Sequence, residues 1–86
     1  MKILHLTLHK RWFDEILSEK KKEEYRDIKP YWTTRLFDKD HKAKKFDFIR
    51  FKNGYSKNAR IMNVEFLGIR EDKDKYLIKL GKILQE

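Results

Sequence analysis

The stretch KILHLTLHKRWFDEILSEK, residues 2–20, decides how this chain begins to fold, because its apolar residues change their spacing part-way along. In residues 2–8 they fall on every second position, at Leu4, Leu6 and Leu8. In residues 10–20 they fall at helical spacing, at Trp12, Phe13, Ile16 and Leu17. The first pattern predicts a strand with one apolar face, and the second predicts a short amphipathic helix. We expect Trp12 and Phe13 to pack in the core with the rest of that stripe.

Apolar alternation and aromatic or β-branched enrichment predict four further strands, over residues 22–28, 46–52, 60–69 and 76–84. A short helix is predicted over residues 31–37, with Pro30 at its first turn. The dipeptide Asn53-Gly54 is a turn signal and indicates that the later strands are joined as hairpins. The predicted fold class is therefore α+β: a small mixed or antiparallel barrel, or curled sheet, of about five strands with one main helix and a short second helix.

Composition narrows the class of protein. The 86 residues fit one domain spanning residues 1–86. There is no cysteine, so no disulfide or thiolate metal site is expected, which fits a reducing compartment. No apolar run is long enough to span a membrane, and the N-terminus lacks a signal-peptide pattern, so we expect a soluble, cytoplasmic protein without a membrane partner.

No cofactor or metal is expected either. The three histidines, at positions 5, 9 and 41, lack the spacing of metal ligands, and there is no Gly-rich phosphate loop or Ser/His/Asp set. The oligomeric state stays open.

Positive charge is concentrated in one part of the chain. The net charge is +8, and residues 39–60 contribute +6 of it through eight Lys or Arg and two Asp. Tyrosine and phenylalanine are interleaved with these cations, which favours a nucleic-acid surface over an ordinary solvated face. Arg50, Lys52 and Lys57 flank the predicted turn and extend a positive surface if the hairpin lies beside the binding site.

The run from Lys20 to Trp32 combines charges and aromatics in a way that neither a core strand nor a solvated face explains. If it forms a strand, Glu24 and Arg26 share one face. Lys21 reaches the same place only if it lies on the preceding loop. A converging Lys, Glu and Arg suits a phosphate or a base edge, because Arg offers a bidentate fork, Lys a point charge and Glu an acceptor for an exocyclic amine.

At these positions the chain resembles the ASCH domain family of the PUA-like β-barrel superfamily, whose motif is Gly-x-Lys-x-x-Glu-x-Arg after the first helix. Glu19 stands at the glycine position here, and would cost about 1 kcal/mol if the backbone there needs a positive φ. Residues 25–32, 53–56 and 64–66 also resemble small bacterial and phage members. The resemblance implies a single ASCH-like domain with a PUA-like barrel and an RNA-related role.

Two functional classes follow from that resemblance. One is RNA binding, with Lys21 and Arg26 on phosphate or base, Glu24 orienting Arg26 or accepting from a base, and stacking by Tyr25, Tyr55 or Trp32. The other is an RNA-directed enzyme, either a metal-dependent ribonuclease or an N4-acetylcytidine amidohydrolase. Lys21, Glu24 and Glu65 would then be the catalytic candidates. The amidohydrolase type carries Thr where this chain has Glu24, which disfavours that mechanism.

A third hypothesis, a protein-interaction module, also stays open. In that case the charges serve only to keep the chain in solution.

Overall fold

The computed structural model describes all residues 1–86 and contains five strands and two helices. In chain order they are β1 (Ile3–Leu8), α1 (Lys10–Leu17), β2 (Glu23–Asp27), α2 (Pro30–Leu36), β3 (Phe48–Asn53), β4 (Ile61–Asp72) and β5 (Lys75–Gln85). Every predicted element is present, so the predicted α+β fold with about five strands is confirmed.

The strands form one curled sheet, shaped like half a barrel, in the order β1-β3-β4-β5-β2. The β1–β3 pair is parallel and the other pairs are antiparallel, so the sheet is mixed. Strands β1 and β2 follow each other along the chain but occupy opposite edges of the sheet. The curl therefore leaves an open seam between two edge strands, which is where the candidate site lies.

The core fills the concave side of this sheet. The alternating leucines of β1 are buried there, as are Ile49 and Phe51 of β3 and Met62 and Val64 of β4. Helix α1 adds its two buried residues, Phe13 and Ile16, to this core. The period-two and helical patterns of residues 2–20 thus both mark core positions, because each places its apolar side chains on one side of its element.

Helix α2 is fixed by its own buried contacts. Pro30 occupies the first turn, where its missing N–H removes no helical bond, and Leu36 is fully buried. The Thr33 hydroxyl lies 2.6 Å from the hydroxyl of buried Tyr76, which satisfies both groups. This pairing sets the orientation of α2 and hence of Trp32 at its start.

Several boundaries differ from the sequence prediction. Helix α1 ends at Leu17 rather than residue 20, because Glu19 adopts a left-handed conformation with φ 62°. The Glu19 amide donates to the Ile16 carbonyl and the Lys20 amide to the Glu15 carbonyl, each at 3.0 Å. These two bonds form a Schellman motif, in which the left-handed position normally favours glycine. The chain thus places Glu where the ASCH motif has Gly.

The hairpin strands β4 and β5 are also longer than predicted. They run to Asp72 and start at Lys75, so the turn is shorter than the expected residues 71–75. Register shifts occur between residues 63 and 68 of β4, and Gly68 there has φ 137°. Such bulges bend a strand and increase its twist, which contributes to the curl of the sheet.

Candidate functional site

A cavity of about 560 Å³ lies in the seam between β1 and β2. Its size lies within the range of small-ligand sites. Side chains from β1, α1, β2, α2 and the β3–β4 loop line it, namely His5, Thr7, Leu8, His9, Trp12, Lys21, Glu24, Tyr25, Arg26, Tyr31, Trp32 and Tyr55. Five of these residues are Tyr or Trp and three are Lys, Glu or Arg, so the cavity is both charged and aromatic.

Glu24 lies at the centre of the charged part of the cavity. It is 4% exposed and is the one buried charged residue of the chain, because its position on β2 faces the core. Lys21 Nζ lies 3.3 Å from Glu24 Oε1, and Arg26 Nη1 lies 3.3 Å from Glu24 Oε2. Burying a carboxylate costs several kcal/mol unless opposite charges accompany it, and here two cations do so. The two cations and one carboxylate give the cluster a formal net charge of about +1.

The cluster also provides hydrogen-bond partners for backbone groups at the open edge of β2. The Lys22 carbonyl faces β5 and accepts a hydrogen bond from the Leu80 amide. Because the backbone groups of successive strand residues point to opposite sides, the amide and carbonyl of Tyr25 face the seam instead. There the Tyr25 amide donates to Glu24 Oε1 at 2.9 Å, and Arg26 Nη1 donates to the Tyr25 carbonyl at 2.9 Å. Glu24 and Arg26 thereby take the place of a neighbouring strand.

Arg26 reaches across the seam as well. Its Nη2 donates to the Thr7 carbonyl of β1 at 3.4 Å. Arg26 therefore contacts both edge strands. Its side chain bridges a gap that backbone hydrogen bonds between the two strands would bridge in a closed barrel.

Each of the two cations lies over a tryptophan ring. Lys21 Nζ is 4.4 Å from the centroid of Trp12, and the Arg26 guanidinium carbon is 5.2 Å from that of Trp32. Both distances lie within the range of cation–π attraction. The rings limit the freedom of both side chains and leave them directed into the cavity.

Exposed tyrosines form the rim. Tyr25 is 40%, Tyr31 54% and Tyr55 88% exposed, so these rings are open to solvent beside the cavity. Partial desolvation of its hydroxyl, together with the charge of Glu23 and the hydrogen bond to it, raises the pKa of Tyr25 above 10.0. Tyr25 is consequently a hydrogen-bond donor at neutral pH, and its hydroxyl contacts Glu23 at 3.3 Å.

Six of the residues predicted from the sequence line the cavity: Lys21, Glu24, Tyr25, Arg26, Trp32 and Tyr55. Lys21 lies on the loop before β2, as its odd spacing required. The other predicted residues lie elsewhere. Arg50 and Lys52 are on the outer face of β3, and Lys57 is exposed in the following loop.

Glu65 is placed away from the cavity. It lies on β4, where its Oε1 accepts from the Lys82 amide at 3.2 Å and covers Gly81. The structure therefore does not bring Glu65 together with Lys21 and Glu24, and the arrangement expected for the amidohydrolase alternative is not assembled.

Trp12 corrects one prediction made from the sequence. Its helical spacing predicts a place in the core, but it is 37% exposed and lies beneath Lys21 at the cavity. That spacing groups Trp12 with Phe13 and Ile16, yet it lies at the margin of their stripe. The signal that could have singled it out is its position in the first turn, directly after Lys10 and Arg11.

Two further features of the whole chain bear on function. No three His, Cys, Asp or Glu side chains are grouped so that they could hold a metal ion. No helix has both the length and the apolar character needed to cross a membrane.

The chain was compared with known proteins in two ways. A scan against models of protein families finds no match, and a search of curated protein sequences finds no match either. The resemblance to the ASCH family therefore rests on the residues quoted above.

Proposed function

We propose that this protein binds single-stranded nucleic acid, most favourably RNA, with a base in the cavity and phosphate at its rim. The observation that carries the proposal is the pairing of each cation with a tryptophan, Lys21 with Trp12 and Arg26 with Trp32, around one buried carboxylate. Flat aromatic faces beside fixed cations are what unstacked bases and their phosphates require.

The charges suit a base edge better than a bare anion. A phosphate alone would be repelled by Glu24, whereas a base presents donors and acceptors side by side. Glu24 Oε2 is buried and, apart from its 3.3 Å ion pair with Arg26, has no hydrogen-bond partner in the protein. A base amine that enters beside Arg26 would therefore meet an acceptor with unused hydrogen-bonding capacity. Lys21 and Arg26 are on either side to donate to base or phosphate oxygens.

The rim favours an unpaired strand. Tyr31 and Tyr55 are exposed beside the opening, where bases next to the bound one can stack on them. A base in a duplex is stacked and paired and cannot enter a cavity of this kind without being extruded, at a cost of a few kcal/mol. The overall charge of +8 adds long-range attraction for any polyanion.

Tryptophan fluorescence gives a direct test, because the only two tryptophans of the chain both line the cavity. We expect short single-stranded RNA at low salt to change this emission in a saturable way. Lys21→Gln should weaken binding about tenfold, since it removes a charge-assisted contact. Lys22→Gln is the matched control, because the neighbouring Lys22 is exposed and does not line the cavity.

The proposal fails if RNA causes no saturable change, or if Lys21→Gln and Lys22→Gln bind equally well. An RNase-resistant protein partner retained by the wild-type chain would then favour the protein-interaction alternative.

One observation favours a second candidate, an enzyme acting on RNA or a nucleoside. Glu24 Oε2 is a buried carboxylate oxygen whose one close polar contact is the ion pair with Arg26, so it is a candidate to accept a proton from a ligand that enters the cavity. Incubation with labelled RNA and a divalent metal, and separately with N4-acetylcytidine, tests this candidate. Turnover that is abolished by Glu24→Gln would support it, and turnover that survives Glu24→Gln would exclude this role for Glu24.

A further inference from the structure

A row of polar side chains crosses the outer face of the sheet beside the cavity. Strand register places His5, Arg50, Asn63 and Gln85 next to one another on β1, β3, β4 and β5. Arg50 Nε donates to Asn63 Oδ1 at 3.0 Å, and Asn63 Nδ2 lies 3.3 Å from Gln85 Oε1. Because His5 also lines the cavity, this row starts where the cavity ends.

Arg50 is held in place within the row but keeps free donors. Its guanidinium carbon is 5.5 Å from the centroid of the Phe48 ring, and its Nε is bonded to Asn63. Its two Nη atoms have no hydrogen-bond partner in the protein, and the side chain is half-buried. A guanidinium that is held through Nε and has both Nη groups free to donate is suited to a phosphate group, which accepts two parallel hydrogen bonds.

Lys52 lies on the same face, two residues further along β3. Side chains at this spacing are about 6.6 Å apart along a strand, a distance that successive phosphates of an extended single strand can match. Lys52 is opposite Thr7, a second residue that lines the cavity. Neither Arg50 nor Lys52 forms an ion pair within the chain. Glu86 lines a small pocket together with Arg50 but is not paired with it.

We infer that Arg50 and Lys52 form a phosphate-binding track on the outer face of β3, next to β1, which holds the backbone of a nucleic-acid strand whose base lies in the cavity. The inference rests on the proposed function and makes its ligand more specific: a single strand of several nucleotides, rather than a free nucleotide. The track contacts phosphate alone, so it adds affinity without adding sequence preference.

The experiment compares two probes, a nucleoside monophosphate and a longer single-stranded oligouridylate, by tryptophan fluorescence over a range of salt concentrations. We expect the wild-type chain to bind the longer strand more tightly. The double variant Arg50→Gln/Lys52→Gln should bind it roughly tenfold more weakly. In this variant the plot of log affinity against log salt concentration should also become less steep by about 1.4, which is about 0.7 for each phosphate that is no longer neutralised. Binding of the monophosphate should not change.

The matched control is Lys39→Gln/Lys79→Gln, which removes the same charge from exposed positions outside both the cavity and the row. If both double variants weaken the longer strand equally, the attraction is a general charge effect and the track is refuted. If the wild-type chain binds both probes equally well, the track is also refuted while the cavity proposal stands. If the wild-type chain binds neither probe, the proposed function and the track fail together.

Discussion

The guanidinium of Arg26 on β2 donates a hydrogen bond across the open seam to the backbone carbonyl of Thr7 on β1, with an Nη2 to oxygen distance of 3.4 Å. The same side chain contacts the Tyr25 carbonyl and Glu24. Arg26 therefore has a structural role in joining the two edges of the half barrel, in addition to the binding role that we propose for it.

Replacing Arg26 by Lys tests the structural role. A single ammonium cannot donate to both carbonyls in the geometry of the guanidinium fork, so we expect a loss of about 1–2 kcal/mol in the free energy of unfolding. Urea denaturation measures this loss. Arg70→Lys is the control, because Arg70 is exposed on β4 and makes no side-chain hydrogen bond, and its variant should match the wild type. Equal stability of the two variants would show that the bridge across the seam contributes nothing.

Replacing Glu19 by Gly should stabilise the chain. Glu19 is left-handed in the Schellman motif that ends α1, and a side chain costs about 1 kcal/mol in this conformation. We expect the free energy of unfolding, measured by urea denaturation, to rise by about that amount in Glu19→Gly.

Glu19→Ala is the matched control, because it also removes the exposed carboxylate and its 3.9 Å contact with Lys22 but keeps the β-carbon. A surface pair of this kind contributes little. If Glu19→Ala is as stable as Glu19→Gly, the gain comes from the charge and not from the backbone.

The pair Asp27 and Lys75, which joins β2 to β5, should make stability depend on acid pH. The hydrogen bond from Lys75 and its charge lower the pKa of Asp27 below 3.8 in the folded state. The stabilising contribution is therefore complete above pH 3.8 and is lost as the pH falls through the lower folded value. NMR titration of the Asp27 carboxyl carbon should show the low pKa in the wild type and a return towards 3.8 in Lys75→Gln. Identical titrations in the two proteins would contradict the pairing.

Gly81 and Glu65 should be coupled. A β-carbon added at Gly81 would lie 2.2 Å from Glu65 Oε1 and 3.0 Å from Glu65 Cβ, so Glu65 would have to move and give up its bond to the Lys82 amide. We expect Gly81→Ala to cost about 1–2 kcal/mol in the wild-type background and clearly less in a Glu65→Ala background. A double-mutant cycle from urea denaturation measures the coupling. A cost that is the same in both backgrounds would show that Glu65 does not cover Gly81.

The elements of the fold are predictable from local patterns, with errors mainly at their ends. The alternation of Leu4, Leu6 and Leu8 predicts β1, and Pro30 marks the start of α2. The end of α1 is not predictable in this way, because Glu19 carries no sequence signal for a left-handed conformation, unlike glycine. The β4–β5 hairpin is longer than its apolar pattern indicates, because polar residues at its end, Asp72 and Lys75, still pair.

The candidate site is predictable only where its residues are close in sequence. Lys21, Glu24 and Arg26 are within one short segment, so the sequence allows them to converge on the condition that Lys21 lies on the loop before β2. The rest of the cavity comes from residues that are distant in the chain. Trp12 and Thr7 meet this segment at the seam because β1 and α1 are at one edge of the sheet and β2 is at the other.

The sequence by itself determined the period of each segment, and hence which segments are strands or helices and which side chains share a face. It also determined that a lysine, a glutamate and an arginine are close together in the chain, at Lys21, Glu24 and Arg26. The tertiary structure alone decided that β1 and β2 lie at opposite edges and face each other across a seam. The physical reason is that side-chain period is a property of neighbouring residues, whereas strand order depends on hydrogen bonds between segments that are far apart in the chain.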